Sequence, residues 1–339
     1  MKILVTGCCG YIGSHTLVEL LNNGYEVVGL DNFSNSKKDV LDKIEKITGK
    51  QIVFYECDML DKDNLRKIFQ ENKIEMVIDF AAYKAVGESV EKPISYYINN
   101  VSSVLMLLDV MKSFGVKNLI FSSSATVYGM AEEVPLKETS FVGGTTNPYG
   151  TSKLFVEKIL MDLYNSDNDW NICIFRYFNP IGAHSSGLIG ENPNGVPANL
   201  MPYIVKVAKK ELECLNIFGD DYDTVDGTGV RDYIHIMDLA LAHILGVKKL
   251  CEVKSGLHIY NLGTGKGISV LELVNAFKKV NNVDIPYKIA PRRAGDIAEC
   301  YASIRKAREE LGFIPKRGID DMCFDAYNYV LKENENEKN

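Results

Sequence analysis

Short apolar runs alternate with stretches of helical spacing through the first half of the chain. Runs rich in β-branched and aromatic residues lie at Lys2 to Thr6, Glu26 to Asp31, Ile52 to Glu56, Met76 to Phe80, Asn118 to Ser122 and Asn171 to Tyr177. Ile12 to Asn23 has helical spacing and stops at Gly24, a suitable C-cap. A further helix after Pro93 places Val101, Val104, Leu105, Leu108 and Met111 on one face. The strand runs are apolar nearly throughout, the mark of strands covered on both faces. Strands separated by helices imply right-handed crossovers and a parallel sheet. The expectation is an α/β protein whose first domain, residues 1–178, is a Rossmann-type doubly wound parallel sheet.

Beyond Phe178 the rhythm breaks. Gly and Pro punctuate Asn179 to Asp232, which reads as long loops with short helices. Met237 to Leu250 is again helical and His258 to Leu262 again a strand, so residues 233–263 are expected to rejoin the first sheet. Residues 179–232 and 264–332 then form a smaller C-terminal α+β substrate domain over the carboxyl ends of the strands, where open α/β sheets bind ligands. The polar tail, 333–339, is expected to fray.

Composition narrows the function classes. The length of 339 residues suits two domains. A net charge of -7 argues against a nucleic-acid partner, which needs a basic face. The eight cysteines form no Cys-x-x-Cys and the five histidines show no ligand spacing, so no metal is expected and a reducing compartment fits. The apolar run Ile3 to Val5 is too short for a signal peptide, and no run nears the roughly 20 apolar residues of a membrane span. A cytoplasmic protein is expected.

Candidate chemistry sits in three places. Gly7-x-x-Gly10-x-x-Gly13 follows the first strand and opens the first helix, with Tyr11 and Ile12 inside it. Glycines let backbone approach a pyrophosphate, and the helix N-terminus offers N–H donors. Asp31 ends the second strand, where a carboxylate accepts from an adenosine ribose diol and repels a 2′-phosphate, so NAD is expected over NADP. The nearby Lys37 and Lys38 soften that preference. Asp58 ends the third strand and either meets the adenine or caps the next helix. Tyr149 and Lys153 form Tyr-x-x-x-Lys on one helix face, behind Asn147 as N-cap and Pro148 as first residue. Lys153 is placed to stabilise a Tyr149 phenolate against its usual pKa of about 10, and a positive nicotinamide adds to that, which makes Tyr149 a base. Ser122 to Gly129 closes the fifth strand and points the Ser124 hydroxyl at the same crevice.

These three elements resemble the extended short-chain dehydrogenase/reductase family. Asp31-Asn32, Ala85 to Ser89, Arg176 to Pro180, Gly229 to Tyr233 and Tyr260 to Gly263 extend the likeness to its nucleotide-sugar epimerase branch, from Met1 to about Gly312. The resemblance implies interconversion of UDP-glucose and UDP-galactose through a 4-keto sugar, with tightly held NAD. It also implies a homodimer paired through the helices after Pro93 and Pro148. Carried onto this chain, it makes Tyr149 the base, Ser124 its partner and Lys153 the residue that tunes it and holds the nicotinamide ribose. The NAD site would comprise Gly7, Gly10, Tyr11, Ile12, Gly13, Asp31, Asn32, Asp58, Phe80, Lys84, Asn99, Ser122 and Phe178, with Tyr149 and Lys153. The UDP-sugar would meet Asn179, Asn199, Leu200, Ile217, Phe218, Arg231, Tyr233, Arg293, Asp296 and Cys300, besides Ser124 and Tyr149. A small residue at Cys300 implies that the N-acetylated pair, UDP-GlcNAc and UDP-GalNAc, is also accepted.

Other members of the family run different chemistry. A nucleotide-sugar 4,6-dehydratase needs an Asp-Glu pair after the serine, but Ala125 and Thr126 stand there. The glutamate a decarboxylase would use is absent too. A non-catalytic NAD-binding module would be expected to lack Tyr149 or Lys153. One departure from the family pattern is Cys8-Cys9, where the glycine loop usually carries small residues or glycine.

Overall fold

The structure, a computed structural model, describes every residue except 131, 132, 194–196, 198, 294, 338 and 339, and the backbone alone of 334–337. Along the first half run β1 (Lys2–Thr6), α1 (Tyr11–Asn22), β2 (Glu26–Asp31), α2 (Asp39–Thr48), β3 (Val53–Glu56), α3 (Lys62–Glu71), β4 (Met76–Asp79), α4 (Val86–Glu91), α5 (Pro93–Tyr97), α6 (Ser103–Ser113), β5 (Asn118–Ser124), α7 (Pro148–Ser166) and β6 (Asn171–Tyr177). There follow β7 (Asn179–Ile181), α8 (Leu200–Ala208), β8 (Leu215–Phe218), β9 (Val230–Arg231), β10 (Tyr233–His235), α9 (Ile236–Glu252) and β11 (Gly256–Leu262). The chain ends with β12 (Ile268–Ser269), α10 (Val270–Asn281), β13 (Tyr287–Ala290), β14 (Glu299–Cys300), α11 (Arg305–Leu311) and α12 (Ile319–Glu337).

The main sheet has the order β11-β6-β5-β4-β1-β2-β3, with parallel ladders joining β1 to β2 and β4, β2 to β3, and β4 to β5. This is the doubly wound Rossmann arrangement. The order reverses between β1 and β4, which is where such sheets place a ligand at the strand carboxyl ends. Leu4, Val77, Leu119 and Ile174 are fully buried in its core, as are Leu107, Met111, Val156 and Trp170 around them. Two compact units emerge. The first comprises 1–129, 142–176 and 240–260; the second comprises 130–141, 177–239 and 261–339. The second has its own core of Met201, Ile204, Leu273, Phe277, Met322 and Tyr329, and short ladders β10·β7, β12·β9·β14 and β13·β8. Among the described residues no helix is long and apolar enough to cross a membrane.

Three local features depart from the sequence pattern. The segment after Pro93 is not one helix: α5 and α6 flank a π-helical turn at Ile98–Ser102. Within α6, Val104, Leu108 and Met111 are buried while Leu105 faces solvent. Buried Asn100 pins the turn, accepting from Tyr83 N and donating to Tyr83 O and Ser152 Oγ. Residues 130–141 belong to the second unit, although they interrupt the first in sequence. The tail stays helical to Glu337, and Glu333 accepts from the Tyr329 hydroxyl and Asn192; Lys338 and Asn339 lie outside the described residues.

One buried ion pair ties α7 to β6. Glu157, wholly buried, accepts from Arg176 Nε at 3.0 Å and Nη2 at 2.7 Å, and from Ser123 Oγ at 2.5 Å. Arg176 also donates to the Tyr128 hydroxyl at 3.0 Å. Arg176→Met removes the guanidinium hydrogen-bonded to the buried Glu157 carboxylate and should cost about 3–5 kcal/mol, and Glu157→Gln in the same chain should recover part of it. Urea unfolding of both variants checks this; a single variant within 1 kcal/mol of wild type contradicts it.

Candidate active site

The glycine turn is held by close backbone packing. Gly7 has φ +60°, and a Cβ there would sit 2.9 Å from Ala81 N, at the end of β4. A Cβ on Gly13 would fall 2.2 Å from the Gly7 carbonyl oxygen. Both positions require glycine for the turn itself. Gly10 is the N-cap of α1, with no side chain capping it, so the first-turn N–H groups keep their capacity to meet an anion.

Asp31 closes β2 beside this turn. Its Oδ2 accepts from Cys9 N at 2.9 Å, and its Oδ1 from Phe33 N at 2.9 Å and Ser36 Oγ at 2.8 Å. An oriented, acceptor-only carboxylate at that strand end suits a ribose diol. The Lys38 ammonium does not weaken this selection. It pairs with Glu56 at 2.6 Å and lies over the Phe33 ring. Asp58 does not cap α3; Asp61 does, accepting from Asn64 N. Asp58 instead accepts from Leu60 N and from Asn32 Nδ2 at 2.8 Å, bringing two candidate cofactor residues together. Lys84 lies over the Tyr11 ring at 5.6 Å, and the Phe80 ring packs on His243 at 4.9 Å. Asn99 belongs to the π turn, donating to Asn100, and Phe178 belongs to the second unit, its N–H on the Leu262 carbonyl. The donor set of the first unit fits a dinucleotide.

The catalytic candidates lie where β5 meets the start of α7. Asn147 caps the helix by accepting from Gly150 N at 2.8 Å, and Pro148 is its first residue. Gly150 allows close approach to the turn after β5; a Cβ there would lie 3.1 Å from Thr126 Cβ. The Ser124 hydroxyl accepts from Thr126 N and Oγ1, and its influence on the Tyr149 phenol favours ionisation. Buried Lys153 donates to the Ser122 carbonyl at 2.7 Å. Burial lowers its pKa to about 8, while Asp79 and Glu157 oppose the fall. Asp79 in turn accepts from Thr6 Oγ1 at 2.5 Å.

The Tyr149 phenol lies one helical turn before Lys153 on α7. Burial pushes that phenol above its ordinary value, and the hydrogen bond from Ser124 only partly opposes this. The Lys153 ammonium is turned to the Ser122 carbonyl. Sequence reading missed Asp79 and Glu157. Glu157 sits at i+4 from Lys153 on α7, a spacing that carried the signal.

In the second unit, Arg231 and Arg293 share Asp296. Arg293 Nε donates to its Oδ2 at 2.9 Å, and Arg231 Nη2 lies 3.9 Å from Oδ1. Arg231 Nη1 donates to the Val230 and Ile297 carbonyls, and the Arg293 guanidinium covers the exposed Phe218 ring at 4.9 Å. Tyr233 is buried, pairs in register with Asn179, and has its phenol raised to about 12 by burial. Cys300 pairs in register with Arg231, and burial pushes its thiol up to about 11. Asp232 fixes this group: it accepts from Thr264, Gly265 and Ala302 N–H groups, and a Cβ on Gly263 would lie 2.3 Å from its Oδ2. Three candidates stand apart. Ile217 is buried, because strand alternation turns it into the core and Phe218 outward, so it offers only backbone. Asn199 donates to Glu191, and Leu200 packs on the core.

Residues 4–326 match the sequence profile of the GDP-mannose 4,6 dehydratase family. A UDP-glucose 4-epimerase of Bacillus subtilis is 55% identical over 329 residues, covering 97% of this chain and 96% of that protein. The structure resembles UDP-glucose 4-epimerase from Bifidobacterium longum in complex with NAD+ and UDP, with a TM-score of 0.95, 53% identity, and coverage of 98% of this chain and 99% of that one. It also resembles the UDP-Glc/GlcNAc 4-epimerase of Campylobacter jejuni, with a TM-score of 0.85, 35% identity, and coverage of 98% and 99%. With the Gly7 turn, the Ser124–Tyr149 pair and Lys153 in place, the chain belongs to the UDP-glucose 4-epimerase family of extended short-chain dehydrogenases/reductases.

Proposed function

We propose that this chain interconverts UDP-glucose and UDP-galactose at C4 with a tightly held NAD. The observation that carries this reading is the convergence of Ser124 at the end of β5, the Tyr149 phenol at the start of α7 and Lys153, which donates to the Ser122 carbonyl, with the Ser124 hydroxyl favouring ionisation of the phenol. The first turn of α1 would hold the NAD pyrophosphate, and Asp31 and Lys153 its two riboses. When bound, NAD supplies reversible hydride exchange with C4, the sugar passing through a 4-keto form. Tyr149 Oη takes the O4 proton and later returns it, and Ser124 orients that exchange. The pair needs no outside reductant, because the redox change is internal. Arg231 and Arg293 would neutralise the diphosphate of UDP, each offering guanidinium donors to phosphate oxygens. Thr126, donating to Ser124, occupies a position where a dehydratase needs an acid. The reading places the enzyme in the cytoplasm, as a homodimer joined through the exposed apolar side chains Ile94, Ile98, Leu105 and Phe155.

Three measurements test the reading. Tyr149→Phe keeps the packed ring and removes only the oxygen, so epimerisation should fall roughly 10²–10⁴-fold with NAD content unchanged. A Phe variant near the wild-type rate removes Tyr149 from the chemistry. The purified protein should carry NAD and turn over UDP-galactose with none added; activity that vanishes on dilution and returns with NAD contradicts tight holding. The third concerns sugar scope. An acetamido group at C2 needs room that a small residue at position 300 leaves, and overfilling a packed site costs about 1–3 kcal/mol, roughly a tenfold to hundredfold effect. The enzyme should therefore act on UDP-N-acetylgalactosamine as well as UDP-galactose, and Cys300→Tyr should suppress only the former. Equal loss on both sugars, or no N-acetyl activity in the parent, overturns it.

A further inference from the structure

The glycine turn needs only small residues at its two middle positions, yet it carries adjacent cysteines. The Cys8 and Cys9 sulfurs lie 3.8 Å apart, and both side chains are buried. Room for the Cys8 thiol comes from β2, where a Cβ on Gly29 would fall 2.8 Å from its sulfur. The third member is Asp31. One ligand atom from each of Cys8, Cys9 and Asp31 lies within 4.8 Å of the other two, the only such grouping of His, Cys, Asp or Glu among the described residues.

The separation of the sulfurs is informative. Two thiolates on a tetrahedral cation, each at about 2.3 Å, stand about 3.8 Å apart. The thiols are therefore already at the bite that zinc requires, whereas a disulfide would require them to close to about 2.05 Å. Asp31 is held in place by three donors, Cys9 N, Phe33 N and Ser36 Oγ. Two thiolates, one carboxylate and a water complete a four-coordinate site for a thiophilic ion.

We infer that Cys8, Cys9 and Asp31 form a binding site for one soft divalent cation, zinc or cadmium, that excludes NAD. Two S–H bonds break on binding, both protons go to solvent, two sulfur–cation bonds form, and no electron changes hands. The exclusion rests on the reading of Asp31 as the acceptor of the adenosine ribose diol: three of its roughly four lone-pair sites already accept from Cys9 N, Phe33 N and Ser36 Oγ, so a cation that takes the remaining one leaves none for the diol. NAD loading and thiophilic metal are thereby opposed in the same turn, and the enzyme free of NAD is the form that binds metal.

The test titrates the full-length protein with CdCl2 and follows the ultraviolet thiolate-to-cadmium charge-transfer band. Nicotinamide nucleotide content and NAD affinity are measured separately on each preparation, so failure of the NAD reading is seen independently of the metal. NAD-free chains should bind one cadmium each. Cys8→Ala and Cys9→Ala should each lose the band while keeping the far-ultraviolet circular dichroism of wild type, and equilibrium dialysis with zinc should show the same loss. NAD at ten times its dissociation constant should raise the half-saturating cadmium about elevenfold. A band that survives in both variants, no band in wild type, or a midpoint unmoved by NAD overturns the proposal.

Discussion

Lys153 is only 4% exposed, and a charge taken so far out of water must be compensated from several sides. The Ser122 carbonyl takes its hydrogen bond, and Asp79 and Glu157 supply opposing charge. Each of these is fixed in turn. Asp79 is held by Thr6 of β1, and Glu157 by Arg176 of β6 and Ser123 of β5. Four strands and α7 thus converge on one buried amine. That convergence sets the position of α7, and with it the phenol of Tyr149 one helical turn earlier.

The same burial that fixes the geometry raises the cost of ionising Tyr149. Without a ligand the phenol is held above its ordinary value, and its neighbour Ser124 is a neutral hydroxyl. The site as folded holds a neutral phenol, and a positive charge placed beside it would favour ionisation. The second unit shows a different arrangement: its guanidinium groups are partly exposed and share Asp296, a pairing that a diphosphate can displace because exposed ion pairs are weak.

Much of this was legible in the chain because it is local. The glycine turn needs three residues at fixed offsets, and the start of α7 needs only Asn147 and Pro148. The apolar runs located the sheet strands to within a few residues. What was hidden depends on partners far apart in sequence. Lys153 finds Ser122 rather than the phenol, Glu157 finds Arg176 and Ser123, and Asp58 finds Asn32 while Asp61 takes the cap that Asp58 resembled. The π turn at Ile98–Ser102 is set by Asn100 reaching Tyr83 and Ser152, so no local pattern announced it. Which of Ile217 and Phe218 faces the core was hidden because a four-residue strand alternates too briefly to show it.

The central claim is that one buried acid–base pair serves a redox cycle closed within the enzyme. UDP-glucose carrying deuterium at C4 tests it most directly, supplied to the purified protein in ordinary water with no added nucleotide. The account predicts UDP-galactose that keeps all of its deuterium at C4, read by proton NMR and mass spectrometry. Product in which C4 carries solvent hydrogen would contradict it.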